Sequence, residues 1–168
     1  MNQEQTIQYS QAIAALLIKK SQTLATAESC TGGLIAAACT DLAGSSAWFE
    51  RGFVTYSNAA KTELLGVPAA LIDTHGAVSE PVACAMVQGA LAHSHAQVAV
   101  AVTGVAGPTG GSPDKPVGTV WLGWLVNGRT STECCHFPGD RTAVRQATVQ
   151  RALARLAELL AELLADYD

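Results

Sequence analysis

This chain of 168 residues is poor in charge and in aromatics: 14% of its residues are charged and 5% are aromatic. It has no Lys/Arg cluster and its formal charge is −4, so nothing forms a basic track for a phosphate backbone, and polymeric nucleic acid is not expected as a partner. No apolar run approaches the roughly 20 residues that span a bilayer, which sets membrane partners aside. The opening segment MNQEQTIQYS contains neither Lys nor Arg, unlike a signal peptide, and a cytoplasmic location is expected. The five cysteines, at 30, 39, 84, 134 and 135, never form Cys-x-x-Cys and are odd in number, so neither a disulfide framework nor a metal site is expected. Cys39, Cys84, Cys134 and Cys135 read as buried reduced thiols. Two familiar signatures are also missing, the Gly-x-Ser-x-Gly nucleophile elbow and the Gly-x-x-x-x-Gly-Lys phosphate loop.

What is present is core material. Hydrophobic residues make up 49% of the chain, enough for one domain spanning residues 1–168. Apolar periodicity predicts a helix from about Gln3 to Lys20, a short strand over Thr23 to Ala27 and a helix over Leu34 to Leu42. Trp48 to Tyr56 favours a strand, and Ser57 or Asn58 can cap a helix over Ala59 to Leu65. Pro68 begins a short helix that stops near Gly76, and Ser79-Glu80-Pro81, with Ser79 at the cap and Pro81 at an early helical position, begins another that runs to about His93. The run QVAVAVT, Gln97 to Thr103, reads as a strand buried on both faces, followed by a Gly- and Pro-rich loop to Pro113. Val117 to Val126 and Arg129 to Phe137 flank Asn127-Gly128, the turn most favoured in hairpins, so they should pair antiparallel. From Asp140, a capping residue by type, apolar residues at Val144, Ala147, Val149, Leu153, Leu156, Leu160 and Leu164 mark a long helix to about Ala165. This order predicts a three-layer α/β/α fold with a mixed sheet that includes a C-terminal antiparallel hairpin.

Ligands in such sheets bind at strand ends, which directs attention to the polar loops near residues 28–33, 56–61 and 103–112. Ser29 stands where a strand gives way to a helix, a place for a helix cap and equally for a nucleophile near free amides. Gly32 and Gly33 let a ligand approach the backbone. A serine nucleophile needs a base, and the histidines are poorly placed for it: His93 and His95 lie around a helix end, His136 in a strand and His75 in a connecting loop. Lys61 is better placed, in the first turn of a helix where the dipole and burial both disfavour the ammonium. Tyr56 can orient that lysine or relay its proton. Cys30 is a rival nucleophile, sharing the helix N-terminus that would lower its pKa. Arg141 and Arg145, four apart at the start of the last helix, can present guanidinium groups to an anion.

Six ordered segments, AESCTGG at 27–33, GSSAWFERGFVTYSNAAK at 44–61, HGAVSEPV at 75–82, TGVAGPTGG at 103–111, KPVGTVW at 115–121 and GDRTAVR at 139–145, closely resemble the CinA C-terminal domain family. The resemblance covers essentially the whole chain. It implies an α/β/α fold, commonly a homodimer, that hydrolyses the carboxamide of nicotinamide mononucleotide to nicotinic acid mononucleotide and ammonia in pyridine nucleotide recycling, without metal or other cofactor. It further implies Ser29 as nucleophile, Lys61 as general base, Tyr56 in the same proton-handling group, and Thr103 and Gly104 on the pocket wall. Backbone amides from Cys30, Thr31, Gly32 and Gly33 are candidates for the oxyanion, and Arg141 and Arg145 for the phosphate. Two other readings stay open: a nucleotide-binding module without turnover, and an amidase for a different small amide.

Overall fold

The computed structural model describes residues 2–165. Among these residues five strands form one sheet in the order β2-β1-β3-β4-β5, where β1 is Leu24–Glu28, β2 Phe49–Val54, β3 Val98–Gly104, β4 Thr119–Val126 and β5 Arg129–His136. The first three run parallel; β4 pairs antiparallel with β3, and β5 with β4. The hairpin turns at Asn127 and Gly128, both with positive φ (52° and 73°), as a two-residue turn between right-twisted strands requires. The expected mixed sheet and C-terminal hairpin are therefore present.

Helices cover both faces. One face carries α1 (Gln3–Lys19), α2 (Leu34–Thr40) and α6 (Arg141–Ala165); the other carries α3 (Asn58–Leu65), α4 (Ala69–His75) and α5 (Glu80–Ala92). The central strand β3 shows how sequence divides the layers. Val98, Val100 and Val102 point into the core beneath α1, α2 and α6, while Ala99 and Ala101 point the other way. Small residues let the layers lie close: a Cβ at Gly123 on the sheet would sit 3.2 Å from the Ala83 carbonyl of α5, and one at Gly89 on α5 only 2.1 Å from the carbonyl of Leu65 at the end of α3. The stripe expected on α6 is buried at Val144, Val149, Leu153, Leu156 and Leu160 and only partly so at Ala147; the side chain of Leu164 lies outside the described residues. Asp140 caps this helix, its carboxylate accepting from the Ala143 amide at 2.9 Å.

Three cysteines and one serine depart from expectation. Cys134 is exposed and Cys84 and Cys135 only half-buried; β5, which carries the adjacent pair, is an edge strand whose alternate residues face outward, and of the four only Cys39 is buried. Ser79 begins α5, but its hydroxyl donates back to the Gly76 carbonyl at 2.8 Å, fixing the turn rather than capping the helix.

For the site, the decisive feature is the parallel trio. Glu28, Val54 and Val102 are in register, so the C-terminal ends of β1, β2 and β3 fall on one edge of the sheet. The loops that follow them, which begin at Ser29, Thr55 and Val105, meet there.

Candidate functional site

Strand alternation sends consecutive residues to opposite faces, and Glu28 and Ser29 use this. The Glu28 carboxylate goes to the α2 side, where it accepts from the Thr31 hydroxyl at 2.6 Å and the amides of Ile35 and Ala36 at 2.8 and 3.1 Å. Ser29 goes to the α3 side. Its amide still donates to Val102, extending the β1–β3 ladder by one residue. Position alone admitted Ser29 as a helix cap; the structure gives that task to Glu28. The residue that precedes α2 is Gly33, with φ +106° and no side-chain cap.

Lys61 reaches Ser29 from α3. The helix is started by Ser57, whose hydroxyl accepts from the Ala60 amide, and Lys61 sits one turn in. It is 1% exposed, and its Nζ lies 3.0 Å from Ser29 Oγ, 3.0 Å from the Thr55 carbonyl and 3.2 Å from the Tyr56 carbonyl. Ser29 Oγ is also 3.4 Å from the Tyr56 carbonyl. No carboxylate is paired with Lys61 among the described residues, and burial lowers its pKa below the ordinary 10.5. The set of partners fits either protonation state. An ammonium donates all three hydrogens, to two carbonyls and to Ser29 Oγ. A neutral amine donates two to the carbonyls, which turns its one lone pair toward the serine hydroxyl.

Cys30 is the adjacent thiol. It is 5% exposed, and burial pushes its pKa up to about 11, opposite to the direction expected from a helix N-terminus. At neutral pH it is a thiol, not a thiolate.

These groups line a cavity of about 350 Å³ whose wall includes Ser29, Cys30, Tyr56, Asn58, Lys61, Ala77, Val78, Thr103, Gly104, the Val105–Gly111 stretch in part, and Arg141. That volume is at the small end of the ~300–1,000 Å³ typical of ligand sites. A larger cavity of about 650 Å³ lies between α1, α2 and α6, among Ile7, Leu34, Ala38 and Val149, but its lining pairs no nucleophile with a base. Chemistry, not size, identifies the smaller one as the candidate site.

The residues singled out in the sequence divide between wall and support. Thr103 is buried and its hydroxyl donates to the Ala77 carbonyl at 3.0 Å, tying β3 to the turn that forms the far wall. Gly104 has no room for a side chain: a Cβ would lie 2.7 Å from Val120 Cγ2. Arg141 is at the mouth, donating to the Gly107 carbonyl and to the Tyr56 hydroxyl, both at 2.9 Å. The Tyr56 phenol is thus engaged with Arg141, and it is the Tyr56 backbone carbonyl that touches Lys61 and Ser29. Thr31, Gly32, Gly33 and Arg145 are not on the wall. Thr31 is fully buried, Gly32 donates its amide to the Ser29 carbonyl, and Arg145 donates from Nε to the Cys30 carbonyl (3.0 Å) and from Nη2 to the Thr31 carbonyl (3.2 Å). The turn at 30–33 is the reason: Glu28 holds the Thr31 hydroxyl on the α2 side, and Arg145 holds the Cys30 and Thr31 carbonyls from α6.

Sequence reasoning missed Glu28, Asn58 and the Ala77–Val78 wall. Asn58 was legible only as a helix cap; Ala77 and Val78 carry no chemical signature at all. Among the described residues no three His, Cys, Asp or Glu side chains gather to hold a metal ion. None of the described helices is long and apolar enough to cross a membrane.

Known proteins share this geometry's sequence and fold. Residues 6–160 match the model of the CinA C-terminal domain. The chain is 62% identical over 134 residues to the nicotinamide-nucleotide amidohydrolase PncC of Pseudomonas putida, covering 80% of this chain and 84% of that one. It is 55% identical over 148 residues to a CinA-like protein of Akkermansia muciniphila, covering 88% of this chain but 36% of that protein, so it spans about a third of the longer relative. The crystal structure of the competence/damage inducible protein CihA from Agrobacterium tumefaciens superposes with a TM-score of 0.90 at 46% identity, covering 92% of this chain and 95% of that one.

Proposed function

The chain belongs to the CinA C-terminal domain family, and from that premise we propose that it is an amidase that hydrolyses the carboxamide of nicotinamide mononucleotide to nicotinic acid mononucleotide and ammonia. The observation that carries the reading is the buried Lys61 amine 3.0 Å from Ser29 Oγ, with two carbonyls and, among the described residues, no carboxylate for company. A lysine held this way is a base for a serine hydroxyl.

In the proposed reaction Ser29 Oγ attacks the carboxamide carbon while its proton passes to Lys61 Nζ. The tetrahedral oxyanion collapses, the C–N bond breaks, and Lys61 returns the proton to the departing ammonia. Water then attacks the ester, giving up a proton to Lys61, and the carboxylate product leaves as Ser29 is restored. Of the amides at 30–33, only that of Cys30 belongs to a wall residue, which makes it the proposed oxyanion donor; one such donor typically contributes ~100-fold or more in rate. Arg141 at the mouth is the proposed partner of the substrate phosphate. The reading carries with it a single domain over residues 1–168, a cytoplasmic location, no nucleic-acid partner and a homodimer, for which exposed Ile7, Ile18 and Leu34 offer apolar surface.

Incubation of the purified chain with nicotinamide mononucleotide should release ammonia and nicotinic acid mononucleotide in equal amounts, without added metal or cofactor. Release from other pyridine amides but not from this nucleotide would overturn the substrate, and tight binding without release would overturn the enzyme.

A further inference from the structure

We propose that Glu28 and Arg145 are positioning residues that clamp the loop carrying Ser29 from its two sides, so that the rate of acylation, and not substrate binding, depends on them. The inference rests on the reading of Ser29 as the nucleophile.

Among the described residues Ser29 Oγ has two polar neighbours, Lys61 Nζ, the proposed base, and the Tyr56 carbonyl, which also holds Lys61. The loop has to be fixed from elsewhere, since the chain after Ser29 leaves the sheet and turns through Gly32 and Gly33 at φ +59° and +106°. On the inner side Glu28, 1% exposed, is an acceptor for three donors that span the loop: the Thr31 hydroxyl within it and the Ile35 and Ala36 amides beyond it. On the outer side Arg145 takes the carbonyls of Cys30 and Thr31 in a two-pronged grip. Residue 28, residues 30 and 31 and the first turn of α2 are therefore all tied, and Ser29 is carried between them.

Both ends of the clamp are rigid. Glu28 is the last residue of β1, paired on both sides, and Arg145 follows the fully buried Val144 on α6. Among the described residues neither side chain forms an ion pair, so the charge of each is directed at backbone and hydroxyl groups of this one loop. A fork is needed to hold two carbonyls at once, which a lysine ammonium on a flexible stem does not reproduce. A substrate-binding role for Arg145 would need its guanidinium on the cavity wall. It is not there, whereas Arg141, one turn earlier, is.

The test uses the full chain and the variants Arg145→Ala, Arg145→Lys and Glu28→Gln, with two readouts: steady-state ammonia release from nicotinamide mononucleotide, and the rate at which a fluorophosphonate labels Ser29. Displacing a reacting atom by about 1 Å can cost ~100-fold, so Arg145→Ala should lower kcat by about that factor with KM changed less than about threefold. Labelling should slow in parallel, and free guanidinium should restore a good part of both rates. Arg145→Lys should recover little. Glu28→Gln, which turns an NH₂ toward one of the donors, should lower kcat in the same KM-independent way. Unchanged kcat and labelling in Arg145→Ala, or a loss confined to KM, overturns the proposal; the Arg145 pair decides alone if Glu28→Gln does not fold. Should the wild type release no ammonia from this nucleotide, the amidase reading fails, and the labelling rates still judge the clamp.

Discussion

Replacing Lys61 with methionine separates the base from the space it fills. The two side chains are of similar length, and Lys61 is 1% exposed, so the thioether of the Lys61→Met variant occupies the same channel between β1, β2 and α3. What disappears is Nζ. General acid–base catalysis by a positioned side chain is typically worth ~10²–10⁴-fold, and here the same amine would serve the attack, the departure of ammonia and the deacylation, so kcat/KM should fall by at least ~10³-fold. Stability should respond differently. The Thr55 carbonyl loses its side-chain donor, and leaving such a group unsatisfied costs roughly 1–3 kcal/mol. Against this, the variant no longer buries an amine, and every tenfold loss of proton affinity that burial imposes on Lys61 costs about 1.4 kcal/mol wherever the folded chain still holds that proton. The two effects oppose, so the variant should remain folded at neutral pH.

Proton linkage fixes the sign of the pH dependence. Burial lowers the Lys61 pKa in the folded chain, so between that value and 10.5 the unfolded state binds more protons and stability rises with pH. Below the window both states are protonated; above it neither is. Urea melts across this range should show the wild type gaining stability as pH rises, with that gain absent in Lys61→Met. Ammonia release should show kcat/KM rising with pH to a plateau whose midpoint lies below 10.5. A midpoint at or above 10.5, or a Lys61→Met variant that keeps more than about a tenth of the wild-type rate, would refute the assignment of the base.

Ser29→Ala should abolish ammonia release while Cys30→Ala stays within about threefold of wild type, because a thiol with a pKa of about 11 is not the nucleophile at neutral pH; the reverse pattern would exchange their roles. Tyr56→Phe removes the hydroxyl that Arg141 touches but leaves the carbonyl that touches Lys61, so KM should rise while the pH profile of kcat/KM keeps its midpoint; a shifted midpoint would return the phenol to the proton path. Gly89→Ala should destabilise by about 1–3 kcal/mol in urea unfolding, since its Cβ would sit 2.1 Å from the Leu65 carbonyl and α3 would have to move off α5, carrying Lys61 with it; an unchanged midpoint would mean that the two helices separate freely.

Much of the fold was legible because its signals are local. The Asn127-Gly128 turn, the valine and alanine alternation of β3 and the spaced leucines of α6 each report a period or a backbone conformation that few residues satisfy. Boundaries moved by a residue or two: α2 stops at Thr40 rather than Leu42, and β4 begins at Thr119 rather than Val117, where Gly118 at φ +96° directs its amide to the Val105 carbonyl. What a period does not report is which layer a strand edge lies beside. That is why Cys134 and Cys135, on a segment with ordinary strand composition, were expected to be buried and are instead on the last strand of the sheet.

The site was legible in its reactive members and illegible in its supports, for a physical reason. Ser29 and Lys61 each follow a strand, and the rule that ligands gather at strand ends brings them together before any coordinate is known. Support depends on direction. Glu28 reads as one more strand residue until alternation sends it to the face opposite Ser29, where it finds the start of α2 seven and eight residues on, outside the spacing of any capping box. Arg141 and Arg145 read as equivalent, four apart on one helix face, yet one turn of α6 carries the guanidinium from the mouth of the cavity to the back of the 29–33 loop. A pair of like residues at helical spacing thus divides between reaching the ligand and holding the nucleophile, and that division is set by where the tight turn at Gly32 and Gly33 presents its carbonyls.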